Sequence, residues 1–390
     1  MRLRHSRPCE PGYSRRRRGR GFQYVDDSGN PLSDASERER IKGLTIPPAW
    51  RDVWICRHPH GHLQAVGTDA AGRRQYLYHP QFRAQQEESK HDHVLEVADA
   101  LPSLREAVEA HLSGRGLNRE RVLATATRLL DLGFFRIGSD RYADLNQTYG
   151  LTTLLREHAR ASRGRIVFAY PAKHGRELIQ AVGDDATLRA LTALLRRRGG
   201  GDRLLAYWQT PAWHDVSADD LNSYLRDVSG VEITAKDFRT WHATVLASVA
   251  LGVCETAALG EARRRRAVSR AVKEVAQYLG NTPAVCRASY INPRVIELFE
   301  EGVTIAPSLD RLGEAATFGV PATQGAIEQA VLCMIRTGRP PVDGETDTVE
   351  RDRETASAPA RDGLAVVRGG GDRGEASAIG GHRSPRVARR

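Results

Sequence analysis

The sequence predicts an α+β protein: a small β-rich N-terminal domain, a larger and mostly helical domain, and a disordered polar tail at each end. Three observations carry that prediction. Between about 22 and 92 the apolar residues come in short, strand-length runs separated by turn residues. From about 93 onward they recur at helical spacing. The two ends contain too little apolar surface to build a core. A chain of 390 residues has room for two or three domains at roughly 100–200 residues each.

Residues 1–20 hold eight Arg and one Glu, including the run Arg15-Arg16-Arg17-Arg18. They read as a disordered basic tail, either a phosphate-binding arm or simply solvated. The β-rich domain is assigned to 21–92, with strands near 53–56, 63–66 and 75–78, the last after a turn at Asp69-Ala70-Ala71-Gly72. The helical domain is assigned to 93–338, with helices near 94–110, 119–132, 188–198 and 218–226. Ser217 and Asp220 form a capping pair before the last of these. A strand-like run at 165–170 points to a small sheet within this domain. Arg339-Pro340-Pro341 marks the start of the second tail, 339–390, which contains no aromatic residue beyond that point.

Lysine and arginine outnumber acidic residues by 58 to 48. Of that net charge of +10, residues 1–20 carry +7, residues 341–390 carry zero, and the middle carries +3. A polyanionic partner, nucleic acid, is expected. No run reaches the ~18 apolar residues needed for a membrane-spanning helix. No apolar segment follows the basic N-terminus, so no secretory signal is expected. The five cysteines form no CxxC pair, which suits neither a disulfide framework nor a zinc site and fits a reducing cytoplasm.

Four segments carry the chemistry. Phe135-Arg136-Ile137-Gly138-Ser139 precedes Tyr149-Gly150-Leu151-Thr152-Thr153-Leu154, and Tyr170-Pro171-Ala172-Lys173-His174-Gly175 ends the strand-like run. Lys236-Asp237-Phe238-Arg239-Thr240-Trp241-His242 is the third, and Leu279-Gly280-Asn281-Thr282-Pro283, followed by Ala288-Ser289-Tyr290, is the fourth. Planar guanidiniums match the equatorial oxygens of a phosphodiester in its transition state. A positioned ammonium can protonate a poor alkoxide leaving group, and a phenol can serve as nucleophile. The two histidines beside matched positions, His174 and His242, are read as structural, and Cys286 as a small packing residue.

As an ordered set these segments resemble the catalytic domain of type IB DNA topoisomerases, in particular the bacterial and poxvirus-like group. Leu44-Thr45-Ile46-Pro47-Pro48-Ala49-Trp50 and the stretch from Gly67 to Tyr78 resemble that group's N-terminal β domain. The resemblance implies a helical domain of the tyrosine recombinase/type IB topoisomerase kind. It implies that Tyr290 is the nucleophile that becomes linked to a 3′ phosphate. Arg136 and Arg239 would hold the non-bridging oxygens, and Lys173 would protonate the departing 5′ oxygen. Asn281 occupies the place many members fill with histidine; its amide can donate a hydrogen bond but carries no charge. Arg73, Arg74, Gln75, Tyr76 and Tyr78 are implied DNA contacts, the alternative being that the two tyrosines face a core. The run Arg263-Arg264-Arg265-Arg266 is either a further phosphate contact or a solvated face.

The implied activity is relaxation of supercoiled duplex DNA by transient single-strand cleavage, strand rotation and religation. The chain contains no GxxxxGK[ST] loop for ATP and no acidic cluster spaced for paired Mg²⁺. The expected cofactor and metal content is therefore none, and the expected form is a cytoplasmic, nucleoid-associated monomer without membrane contact. A tyrosine recombinase is the nearest alternative. It usually has His three residues before the second arginine, where Lys236 stands here, and lacks such a β module. An architectural DNA-binding protein is the non-enzymatic alternative.

Overall fold

The computed structural model describes residues 2–133, 135–172, 176–254, 260–311 and 321–341. Five strands form an antiparallel sheet at the N-terminus: β1 (Gly12–Arg18), β2 (Gly21–Val25), β3 (Arg51–Cys56), β4 (Leu63–Thr68) and β5 (Arg74–Tyr78), in the order β2-β1-β3-β4-β5. Their inward side chains Val53, Ile55 and Ala65 pack with Ile46 and with Ile41 of helix α1 (Ala35–Gly43). Asp34 caps α1 by accepting hydrogen bonds from the Ser36 and Glu37 amides at 2.8 and 3.3 Å.

The expectation of a disordered tail at 1–20 is corrected by β1, which is an interior strand paired with β2 and β3. Composition misleads here because an arginine stem is itself apolar and can line a sheet while its head stays polar. The Arg15 guanidinium lies 4.2 Å from the Phe22 ring centroid. It donates to the carbonyls of Ile46, Pro47 and Trp50 at 2.8–2.9 Å. Upstream, buried Ser6 donates its hydroxyl to the Leu63 carbonyl at 2.9 Å. The first twenty residues are therefore part of the N-terminal domain.

One residue separates β5 from α2 (Pro80–Leu112), a helix of 33 residues, about 50 Å long at 1.5 Å per residue. Pro80 stands at a position where a missing N–H costs nothing, and His79 caps the helix through the Gln81 amide at 3.2 Å. The boundary expected at 92/93 falls inside this helix. Its buried positions, from His91 through Val94, Val97 and Leu101 to Leu112, follow helical spacing against α3 (Arg119–Gly133).

After α3 come α4 (Asp140–Asn146), a three-stranded antiparallel sheet of β6 (Ala159–Ser162), β7 (Arg165–Ala172) and β8 (Arg176–Val182), and α5 (Asp185–Arg196). A hairpin of β9 (Ala206–Gln209) and β10 (Ala212–Asp215) leads to α6 (Ala218–Ser229), where Ser217 and Asp220 make reciprocal capping bonds at 3.0 and 3.1 Å. The remaining helices are α7 (Ala235–Gly252), α8 (Glu261–Leu279), α9 (Pro283–Ser289), α10 (Pro293–Glu300) and α11 (Ala326–Thr337).

A buried ionic knot joins four of the helices. Arg105 of α2 bonds Asp131 of α3 at 2.9 Å and Glu328 of α11 at 2.6 Å. From α7, Trp241 donates to Glu328 at 2.9 Å, and His242 lies 3.3 Å from Asp131. Burial opposes ionisation of Asp131, but Arg105 and His242 outweigh it and hold its pKa below the usual carboxylate range. The second tail lies outside the described residues from 342 onward.

Candidate active site

Arg136 follows α3 in a loop that its neighbours hold by backbone contacts. The Leu151 amide donates to the Arg136 carbonyl at 2.7 Å and the Thr152 amide to the Ile137 carbonyl at 2.8 Å. Gly138 adopts a φ of +99°, and a Cβ on Gly150 would sit 2.5 Å from the Gly138 Cα. Only glycine at both positions allows the two backbones to approach this closely.

Arg239 lies on α7, whose first turn is fixed by Thr234 and Asp237: the Asp237 carboxylate accepts from the Thr234 amide and hydroxyl at 2.9 and 2.7 Å. Arg239 is buried, 4% exposed. Burial pulls its pKa below the ordinary guanidinium value; Tyr290 opposes that shift and Arg136 adds to it.

The C-terminal end of α8 gathers the two arginines. Arg239 donates to the Leu279 carbonyl at 2.9 Å, and Arg136 donates to the Gly280 carbonyl at 2.8 Å. Carbonyls at a helix C-terminus lack intrahelical partners and carry partial negative charge, so guanidiniums are stable there. Gly280 turns the chain with φ +62°, and Asn281 follows, its Oδ1 accepting from Arg136 at 2.5 Å. The Asn281 Nδ2 is buried and has no hydrogen-bond partner among the described residues.

Tyr290 is the C-terminal cap just after α9, and its amide donates to the Cys286 carbonyl at 3.0 Å. The Arg239 guanidinium stands 5.4 Å from its ring centroid. Cys286 is fully buried behind it, and burial raises its thiol to about 11. A cleft of about 180 Å³ is lined by Arg136, Tyr149, Tyr170, Arg239, Tyr278 and Gly280. Tyr170, not anticipated as a site residue, is 2% exposed; burial raises its pKa, against the opposing charges of Arg136 and Arg239. A larger cavity, about 290 Å³, borders Arg105, Trp241 and Glu328 and touches none of the expected site residues.

Four of the five expected catalytic residues thus meet: Arg136, Arg239, Asn281 and Tyr290. The fifth, Lys173, lies with His174 outside the described residues, just beyond the end of β7. The expected DNA contacts occupy the edge strand β5 and the turn before it. Tyr76 and Tyr78 are exposed and stack on each other, centroids 6.2 Å apart, while Leu77 turns to the core. The core-facing alternative for these tyrosines is thereby removed. Arg73 and Gln75 bond the Asp69 carboxylate at 2.8 and 2.9 Å. The Arg73 amide, with its guanidinium, holds that carboxyl down to about 2.

Residues 79–303 match the family model of the eukaryotic DNA topoisomerase I catalytic core. The chain belongs to the type IB DNA topoisomerases. Residues 21–69 match the N-terminal domain of bacterial DNA topoisomerase IB, which places the enzyme in the bacterial and poxvirus-like group rather than among the recombinases. The DNA topoisomerase 1B of Acanthamoeba polyphaga mimivirus is 30% identical over 303 residues, covering 74% of this chain and 88% of the viral protein. The DNA topoisomerase 1B of vaccinia virus (strain Copenhagen) is 22% identical over 280 residues, covering 70% and 85% respectively. The catalytic-core match begins at His79, the cap of α2, and contains all five expected catalytic positions of the enzyme.

Proposed function

We propose that the enzyme relaxes supercoiled duplex DNA by cutting one strand through Tyr290, letting the duplex rotate and resealing it. The Tyr290 phenol gives up its proton to solvent water and attacks a backbone phosphorus. The bond to the 5′ oxygen breaks, and a 3′-phosphotyrosyl bond takes its place. Because one phosphodiester is exchanged for another, the reverse attack by the 5′ hydroxyl restores the strand and releases the phenol, with no nucleotide consumed.

Arg136 and Arg239 neutralise the charge that grows on the non-bridging oxygens. A guanidinium has five N–H donors, so the bonds Arg136 makes to the α8 terminus leave others for a phosphate. The Asn281 Nδ2 is the uncharged third donor. Lys173 delivers the proton to the leaving 5′ oxygen. The single observation behind this reading is the meeting of Arg136, Asn281, Arg239 and Tyr290 around the end of α8. Exposed Tyr76 and Tyr78 on β5 supply a stacking and hydrogen-bonding surface for the duplex.

The test is a plasmid relaxation assay without ATP or metal, joined to peptide mapping of the trapped DNA adduct. Wild-type protein should relax the plasmid and carry the adduct on Tyr290, whereas Tyr290→Phe should bind DNA and do neither. Relaxation by Tyr290→Phe, or an adduct on another residue, removes Tyr290 from this role.

A further inference from the structure

The nucleophile is held from behind as well as faced by arginines. Ser289, the last residue of α9, presents a carbonyl that the helix itself cannot satisfy. The ammonium of Lys90, on α2 and 199 residues earlier, donates a hydrogen bond to that carbonyl. On the far side of Tyr290, the Thr244 hydroxyl of α7 approaches the Tyr290 carbonyl at 3.3 Å and the Thr240 carbonyl at 2.9 Å. The same hydroxyl accepts the Asn292 amide at 3.1 Å. Thr244 has one proton to share between two carbonyls, so its grip on Tyr290 is the weaker one. Lys90 brings a full positive charge to a helix C-terminus, where a cation is favoured.

The carbonyls of Ser289 and Tyr290 belong to the two peptide units on either side of the Tyr290 Cα. Fixing both planes fixes the backbone torsions from which the phenol projects. Lys90 does this while half-buried, and burial, followed by the nearby Lys236, lowers its pKa; Glu87 and Asp237 oppose the shift. It also sits on the helix that continues, after a single residue, from β5 with its exposed tyrosines.

We infer that Lys90 is a positioning residue for the nucleophile, holding the peptide that precedes Tyr290 from the helix that joins the N-terminal sheet to the catalytic domain. The inference rests on the assignment of Tyr290 as nucleophile made above. It gives α2 a role in catalysis beyond linking two domains: the element that follows the DNA-facing strand also touches the segment that cuts.

The experiment is single-turnover cleavage of a suicide DNA duplex by the full-length protein at saturating enzyme. The variants are Lys90→Met, Lys90→Arg and Thr244→Val, with DNA affinity and thermal unfolding measured alongside. Lys90→Met should cleave about tenfold to 10²-fold more slowly at saturation, as expected when a reacting group is displaced by up to about 1 Å. DNA affinity should be nearly unchanged. Lys90→Arg should recover most of the rate because it can still donate to the Ser289 carbonyl, and Thr244→Val should lose less than Lys90→Met. Cleavage by Lys90→Met at the wild-type rate overturns the inference, as does a loss that more DNA restores. Failure of Lys90→Arg to exceed Lys90→Met also overturns it. If Lys90→Met does not fold, Lys90→Arg and Thr244→Val decide: near-wild-type cleavage by the first and slowed cleavage by the second support the clasp, and any other pairing refutes it. Mapping the wild-type adduct separates the two readings. An adduct away from Tyr290 refutes the nucleophile assignment itself, whereas an adduct on Tyr290 with an indifferent Lys90 refutes only the clasp.

Discussion

Arg136 and Asn281 stand 145 residues apart in the chain and are joined by a hydrogen bond of 2.5 Å. Because a guanidinium only donates, the Asn281 amide must turn its oxygen to Arg136 and its nitrogen away. That nitrogen is buried and has no partner among the described residues, an unusual state for a polar atom that a bound phosphate oxygen would relieve. Asn281→Ala should therefore slow single-turnover cleavage by about 10²–10³ at saturating DNA, the usual loss for one preorganised donor. Asn281→Asp should be at least as damaging, since a carboxylate would pair with Arg136 and repel the phosphate. Asn281→His, which keeps a donor, should retain more activity than either. Rapid-quench cleavage assays give all three rates, and an alanine variant as fast as the parent would remove Asn281 from the site.

The proton delivery proposed for Lys173 predicts a dependence on the leaving group. On ordinary DNA, Lys173→Ala should lower the cleavage rate by about 10²–10⁴. On a duplex with a 5′-bridging phosphorothiolate the leaving thiolate needs no proton, and most of the loss should vanish. Comparison of the two substrates with the two proteins is the measurement; equal slowing on both assigns the proton to another group.

Acid sensitivity should come in part from His91. It is buried on α2, and burial, with Lys90 adding to it, lowers its pKa from an ordinary 6.5 to about 4. Between those values the unfolded chain takes up a proton that the folded protein refuses. Stability from this group is therefore intact above pH 6.5 and falls as pH drops toward 4. Carboxylates also titrate there, so the informative quantity is the difference between wild type and His91→Gln in urea unfolding. The His91 Nδ1 has no hydrogen-bond partner among the described residues, so the substitution sacrifices no bond at that atom. The variant should lose less stability than wild type between pH 7 and about 4.5, and parallel losses would contradict the assignment.

The candidate site was legible through the resemblance of four ordered segments to one family. Arg136, Arg239, Asn281 and Tyr290, which those segments single out, come together around the end of α8. Chemistry alone names only residue types, guanidiniums to suit a phosphate and a phenol able to attack it. Helices such as α3 and α6 were legible from apolar spacing and from the Ser217–Asp220 cap. What escaped depends on neighbours distant in sequence. The strand β1 hides behind four successive arginines because its stability comes from ladders with β2 and β3 and from the Arg15 guanidinium, which lies over the Phe22 ring and donates to the Ile46, Pro47 and Trp50 carbonyls. The first turns of α2 are almost wholly polar and exposed, so periodicity begins to show only near His91. Lys90 and Thr244 gave no signal because they bond to backbone carbonyls, which no residue type announces. Sequence left the faces of Tyr76 and Tyr78 open, since strand alternation says that two residues share a side but not which side is wet.

The placement of β1 changes what removal of the basic N-terminus should do. If residues 1–20 were a tail, deletion would weaken DNA binding and leave the fold intact. Because β1 lies between β2 and β3, and Ser6 is buried against Leu63, deletion should instead strip the sheet of an interior strand and of the packing around Phe22. Thermal unfolding should show a lowered transition, and cleavage should fall with it. Neutralising only the exposed heads, by Arg16→Gln, Arg17→Gln and Arg18→Gln together, should preserve the unfolding transition. If those heads meet phosphates, the slope of log affinity against log salt should shrink by about 0.9 for each phosphate left without its arginine. A deletion that unfolds at the wild-type temperature would show that β1 adds nothing to the sheet. An unchanged salt slope in the triple variant would show that the strand's charge faces away from DNA.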